Sequence, residues 1–193
     1  MKRIVVINGH PNQESFNSVL AETYIEAAQK TGAEVRYIPI GQLDFDPNLR
    51  FGYQRRMELE PDLRQALEDI NWSEHQVWIH PIWWLGMPAI MKGFFDRAFL
   101  PGIMFKRSKE GQSTGLLLGK TGRIIATAGD MSFEIYSDIY SSSGLVQLQQ
   151  GILEYCGVAS IQHTFIGPLQ ELDDEDRKKY LKSISDMALE DGM

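Results

Sequence analysis

Three short stretches of this 193-residue chain gather side chains able to do chemistry. The first is Asn8-Gly9-His10-Pro11-Asn12, running on into Ser15-Phe16-Asn17. Its turn residues lead into apolar positions at helical spacing, which places His10, Ser15 and Asn17 at a helix N-terminus. The first N–H groups of a helix have no intrahelical partner and carry the positive end of its dipole, an arrangement that suits phosphate. For Ser15 or Asn17, simple helix capping is an equal alternative. No G-x-G-x-x-G dinucleotide fingerprint accompanies the stretch.

The second stretch is His80-Pro81-Ile82-Trp83-Trp84-Leu85-Gly86-Met87-Pro88. Paired tryptophans between a strand and a helix are costly to leave in water, and suit a flat aromatic ligand or a partner's surface. Pro81 and Pro88 stiffen the loop, so its backbone N–H groups aim at one target. The third stretch, Thr127-Ala128-Gly129-Asp130, is small and lets a ligand approach the backbone closely. Gly115-Leu116-Leu117-Leu118-Gly119-Lys120-Thr121 imitates a triphosphate loop, but is one residue short and precedes a strand.

The elements that must position these stretches follow from the hydrophobic pattern. Ile4–Ile7 reads as a strand buried on both faces, followed by a helix from Ser15 with Gly32 as its C-cap. Val35–Ile40 is the second strand, Gly41–Glu60 a polar irregular stretch, and Pro61 opens a helix carrying Leu63, Ala66, Leu67 and Ile70. Val77–His80 is a third strand, and a helix runs from Pro88 to about Phe99. Ile103–Gly122 reads as loop, Arg123–Ala128 as the fourth strand, Leu145–Tyr155 as a helix closed at Gly157, Ile161–Gly167 as the fifth strand and Asp173–Leu189 as the last helix. Strands alternating with helices predict an α/β domain, a doubly wound five-stranded parallel sheet in order 2-1-3-4-5. Ligands in such sheets bind at the C-terminal strand ends beside strands 1 and 3, which singles out the loops Asn8–Asn17, Pro81–Met87 and Thr127–Tyr136.

Composition narrows the class. A net charge of −7 opposes nucleic-acid binding, which needs clustered Lys and Arg. The single cysteine, Cys156, precludes an internal disulfide or a multi-thiolate metal site. No apolar run approaches the ~20 residues of a membrane span, so the expectation is one cytoplasmic domain over residues 1–193, not itself membrane-inserted. An anion hole, an aromatic wall and a slim backbone platform along one edge fit a planar cofactor with a phosphate tail. FMN is the simplest such molecule.

Gly9-His10-Pro11 with Ser15-Phe16-Asn17, the segment Pro81 through Phe99, and Gly151-Ile152-Leu153-Glu154-Tyr155-Cys156-Gly157 resemble the flavodoxin-like NAD(P)H:quinone oxidoreductases. That group includes the mammalian quinone reductases and the ancillary subunits of bacterial glutathione-gated potassium efflux systems. The resemblance implies a homodimer that passes a hydride from NAD(P)H through bound flavin to a quinone or similar acceptor. It implies that His10, Ser15, Phe16 and Asn17 hold the flavin phosphate and ribityl chain. Pro81, Ile82, Trp83, Trp84 and Leu85 would line the ring, Thr127, Ala128 and Gly129 would close the other side, and Lys92 and Asp96 would belong to the dimer region. Backbone N–H groups from Trp84 to Gly86 and at Gly129 are expected to stabilise charge on the reduced ring. Two departures stand out. The mammalian enzymes carry a tyrosine–histidine relay after the third loop. Here Tyr136 and Tyr140 occur with no histidine, which leaves Tyr136 as the expected donor near the ring or acceptor. The long C-terminal extension of the mammalian enzymes has no counterpart, so FMN is expected, with FAD the alternative. A subunit regulating a potassium efflux transporter and a flavodoxin-type electron carrier are the competing readings.

Overall fold

The computed structural model describes residues 1–108 and 110–193. A five-stranded parallel sheet forms the centre: β1 (Arg3–Asn8), β2 (Glu34–Pro39), β3 (His75–Pro81), β6 (Thr121–Thr127) and β7 (Ala159–Ile166), ordered β2-β1-β3-β6-β7. Counting these five alone, the order is the expected 2-1-3-4-5. Helices α1 (Phe16–Lys30) and α6 (Asp174–Asp191) cover one face, where Ile4, Val6, Val77, Ile79 and Ile125 pack with Leu20, Tyr24 and Ile184. Helices α2 (Pro61–Trp72) and α3 (Ala89–Ala98) cover the other, over Val5, Ile7, Trp78 and Ile124. Residues alternating along one strand therefore feed two separate cores, which is why the strands read as unbroken apolar runs.

Several boundaries differ from the pattern-based expectation, each for a physical reason. β3 starts at His75 and takes in Gln76, polar yet wholly buried, whose Oε1 accepts from Trp78 Nε1–H (3.1 Å) while its Nε2 has no partner. The expected loop Ile103–Gly122 contains a hairpin, β4 (Phe105–Arg107) with β5 (Ser113–Gly115), too short to show a period; Lys109 lies outside the described residues. The third loop contains a one-and-a-half-turn helix, α4 (Phe133–Asp138), capped by Ser132. The helix expected from Leu145 begins earlier, as α5 (Ser143–Val146), and widens into a π-helical segment over Gln147–Glu154. The imitation triphosphate stretch links β5 to β6 and packs on the Cys156–Gly157 backbone, where Leu117 N–H donates to Cys156 O (2.8 Å).

The irregular stretch 41–60 folds over α3, and Gly93 is required there because a Cβ would collide with Pro47. Arg97, almost fully buried, holds the stretch down. Its guanidinium donates to both Glu60 carboxylate oxygens (3.0 and 2.8 Å), to Glu58 O (2.9 Å) and to Asp46 O. The apolar side chains of α3 are spent inside this chain. Phe95 and Phe99 meet Trp78 at ring-centroid distances of 5.0 and 6.1 Å, and Phe94 meets Phe45 at 6.4 Å. Apolar side chains of α3 are thus largely buried within the chain. Stretch 41–60 and the strand face cover them.

Candidate functional site

The three singled-out loops meet at the C-terminal edge of the sheet, beside β1 and β3. Loop 1 leaves β1 at Asn8, whose buried Nδ2 donates to Ser18 Oγ (3.1 Å) and Tyr37 OH (3.2 Å). Its Oδ1 accepts from His10 N–H (3.0 Å). Asn12 N–H donates to His10 Nδ1 (3.0 Å), and Glu14 N–H to Asn12 Oδ1 (3.0 Å), so the loop is a chain of side-chain-closed turns. Burial lowers the His10 pKa, outweighing the hydrogen bond to Asn12 that raises it, and favours the neutral ring. Ser18 had no place in the sequence reading, and Asn8 figured there only as the start of the loop. The available signal was a polar residue directly ending a wholly buried strand.

Ser15 and Asn17 separate cleanly. Ser15 is the N-cap of α1, its Oγ accepting from Ser18 N–H (3.3 Å). Asn17 is buried; its Oδ1 accepts from Thr127 Oγ1 (3.0 Å), while its Nδ2 has no partner. An amide donor buried without an acceptor is costly, and at the first turn of a helix it is what an anionic or hydroxyl-bearing ligand would satisfy. Phe16 stands beside it at the same turn, half-buried.

Loop 2 is a tight turn. Trp83 N–H donates to Gly86 O (2.8 Å) and Gly86 N–H to Trp83 O (3.1 Å), with Trp84 and Leu85 at φ 50° and 65°. Two consecutive left-handed residues define a type I′ turn, normally the province of Asn and Gly; a bulky pair there costs about 1–3 kcal/mol per residue. The tip leaves the Trp84 and Leu85 N–H groups without a protein acceptor among the described residues, as is Gly129 N–H in loop 3. Gly86 N–H differs from the expectation: it closes the turn and is not free. Pro81 and Ile82 are buried, with Ile82 N–H donating to Thr127 O (2.6 Å); Trp83 is half-exposed and Trp84 fully exposed. Thr127 and Ala128 are buried too, and the Ala128 N–H and C=O are consumed by Ile166 O (2.9 Å) and Leu169 N–H (2.9 Å). Ala128 thus braces the loop, leaving Gly129 as its open face.

The loops are mutually tied: loop 1 to loop 3 through Asn17 and Thr127, loop 2 to loop 3 through Ile82 and Thr127, and loop 1 to loop 2 through the His10–Trp83 edge contact at 5.4 Å. Beside them opens a cleft of about 550 Å³ lined by Ile82, Trp84, Leu85, Met131, Ile135 and Tyr140, with Asp130 its one charged lining residue. Tyr136 does not face it. Its side chain has zero exposure, and its hydroxyl donates to Leu85 O (3.1 Å) while accepting from Gly144 N–H (2.8 Å) and Leu145 N–H (3.3 Å). That geometry corrects the expectation that Tyr136 gives a proton to ring or acceptor. The half-exposed phenol on the cleft is Tyr140, just beyond the end of α4. Among the described residues no cluster of His, Cys, Asp and Glu could hold a metal, and no helix is long and apolar enough to cross a membrane.

The profile of the family described as having the flavodoxin-like fold matches residues 2–187. An uncharacterized NAD(P)H oxidoreductase of Haemophilus influenzae is 27% identical over 92% of this chain and 90% of its own length. An NAD(P)H dehydrogenase [quinone] 1 of Cavia porcellus is 25% identical over 81% of this chain, which spans 65% of that relative. The crystal structure of Smu.1420 from Streptococcus mutans superposes with a TM-score of 0.81 at 29% identity, over 98% of this chain and 100% of that one.

Proposed function

This chain belongs to the flavodoxin-like family of NAD(P)H:quinone oxidoreductases, and from that membership we propose a flavin-dependent enzyme that passes a hydride from NAD(P)H to a quinone or similar acceptor. The observation that carries the flavin reading is the orphaned Nδ2 of buried Asn17, set beside the unpaired first-turn N–H groups of α1. A phosphate tail or ribityl hydroxyl satisfies those donors, so the residues fit the group. Bound flavin would supply the two-electron chemistry that no side chain here can perform. The chain's own residues do the rest. Asn17, Phe16 and neutral His10 would hold the tail end; the backbone N–H groups of Trp84, Leu85 and Gly129 would face the ring and favour negative charge on it. The apolar walls of the cleft exclude water and admit a flat acceptor. A homodimer belongs to the same proposal, supported by a second cleft in which exposed Tyr53 and Tyr155 stand with Lys92, Phe95 and Asp96 of α3.

The absorbance spectrum of the purified protein tests this reading. FMN or FAD added in excess should give a bound flavin spectrum that NADPH bleaches and a quinone restores. A colourless protein after that incubation overturns the proposal, adenine in the extract changes FMN to FAD, and a stable one-electron radical during turnover favours an electron carrier. Sedimentation of the same preparation at micromolar concentration reports the dimer.

A further inference from the structure

Backbone strain in this molecule has one centre. Of the five non-glycine residues at positive φ in the described chain, four are Trp84, Leu85, Ser141 and Ser142. They form two consecutive pairs, and Tyr136 is bonded to one member of each: its main-chain carbonyl accepts from Ser142 N–H (3.0 Å), and its hydroxyl donates to Leu85 O (3.1 Å). We propose that Tyr136 is the positioning residue that clamps the Trp83–Gly86 turn in its left-handed form and thereby presents the Trp84 and Leu85 N–H groups to the cofactor. The second half rests on the flavin reading; the first stands on the protein alone.

The direction of the clamping bond is forced. The phenol oxygen already accepts from Gly144 and Leu145 N–H, so its one proton is left for Leu85 O. Ser143 Oγ, at 3.4 Å, gives the same carbonyl a weaker second donor. Gly144 is what lets these groups come so close, because a Cβ there would stand 2.5 Å from Leu85 O and 2.9 Å from Gly86 Cα. Trp and Leu have no preference of their own for this backbone, unlike the Asn-Gly pair that forms type I′ turns readily. An external bond must therefore hold it. A fully buried hydroxyl with each of its sites engaged has that function and no path to a substrate.

Amide hydrogen exchange on the intact chain, with and without FMN, tests the clamp. Tyr136→Phe keeps the packing and removes the donor. Exchange at the Trp83 and Gly86 amides, which close the turn, should accelerate about tenfold or more, while amides within β1 and β3 keep their rates. The Kd for FMN should rise about tenfold. Adding Trp84→Asn, a residue that tolerates the left-handed region and replaces a fully exposed side chain, should restore protection at Trp83 and Gly86. Unchanged exchange at those amides in Tyr136→Phe overturns the clamp, as does uniform acceleration across the sheet that Trp84→Asn fails to rescue. Should Tyr136→Phe not fold, Trp84→Asn in the wild-type background is expected to slow Gly86 exchange, and no change there overturns the inference. Wild-type protein that takes up neither FMN nor FAD defeats the flavin reading, and the exchange result still judges the clamp.

Discussion

At the N-terminal edge of the sheet, Asp191 accepts from Arg123 Nε and Nη2 (2.6 and 2.9 Å) and from Tyr24 OH (2.7 Å), with His75 Nε2 3.4 Å away. At the C-terminal edge, Asn17 Nδ2 and His80 Nε2 are buried with no partner, and four residues sit in the left-handed region. The first edge is a charge-paired network that locks the end of α6 against α1, β3 and β6, even though Gln76 Nε2 has no partner there and Ser160, at the start of β7, is left-handed. The second has no such charge pairing and gathers four of the five left-handed non-glycine residues of the described chain where the loops converge. Stability and site are thus placed at opposite ends of the same strands, so the site can be strained without loosening the fold.

The largest way to break that contrast is Asp191→Ala. It leaves Arg123 buried and uncompensated, and should cost about 3–5 kcal/mol in urea denaturation while FMN affinity of the folded protein holds. Loss of FMN affinity in parallel with stability would show that the two ends are coupled. Proton linkage separates the ends by pH. Burial pushes the His80 pKa down to about 4, only partly offset by the hydrogen bond to Pro81. Between pH ~6.5 and ~4 the unfolded chain takes up a proton that the native one refuses, so stability should fall by roughly 3 kcal/mol as pH drops through that window. His80→Gln should flatten the slope. For Asp191, burial alone would raise the pKa, but hydrogen bonds from His75, Arg123 and Tyr24 hold it well below the carboxylate range. Its contribution is fully present above pH ~4 and is lost only as pH falls further. A single transition common to both variants would erase the distinction.

The smallest effects sharpen the site itself. Ser15→Ala should lower stability by about 1 kcal/mol through the lost cap and leave the FMN Kd nearly unchanged. Asn17→Ala should weaken FMN binding by about tenfold, with a stability loss of ~1 kcal/mol from the abandoned Thr127 hydroxyl. Equal behaviour of the two variants would mean that Asn17 is only scaffolding.

Sequence alone determined the parallel sheet, its strand order and the edge at which the three loops gather. Those follow from local physics: β-branched runs buried on both faces, amphipathic helices between them, and turn chemistry that punctuates them. Ile4–Ile7 and Pro61–Trp72 are legible because every residue's preference agrees with its place. What only the tertiary structure decided was the assignment of individual groups. Whether Ser15 or Asn17 is the cap, whether α3 has apolar surface to spare once stretch 41–60 covers it, and where the Tyr136 hydroxyl points all depend on atoms more than 25 residues away in sequence: Thr127 for Asn17, Pro47 for Gly93, Leu85 for Tyr136. A hydrogen bond is directional and short, so its partner is fixed only when the chain has closed, whereas a hydrophobic period is already written along it.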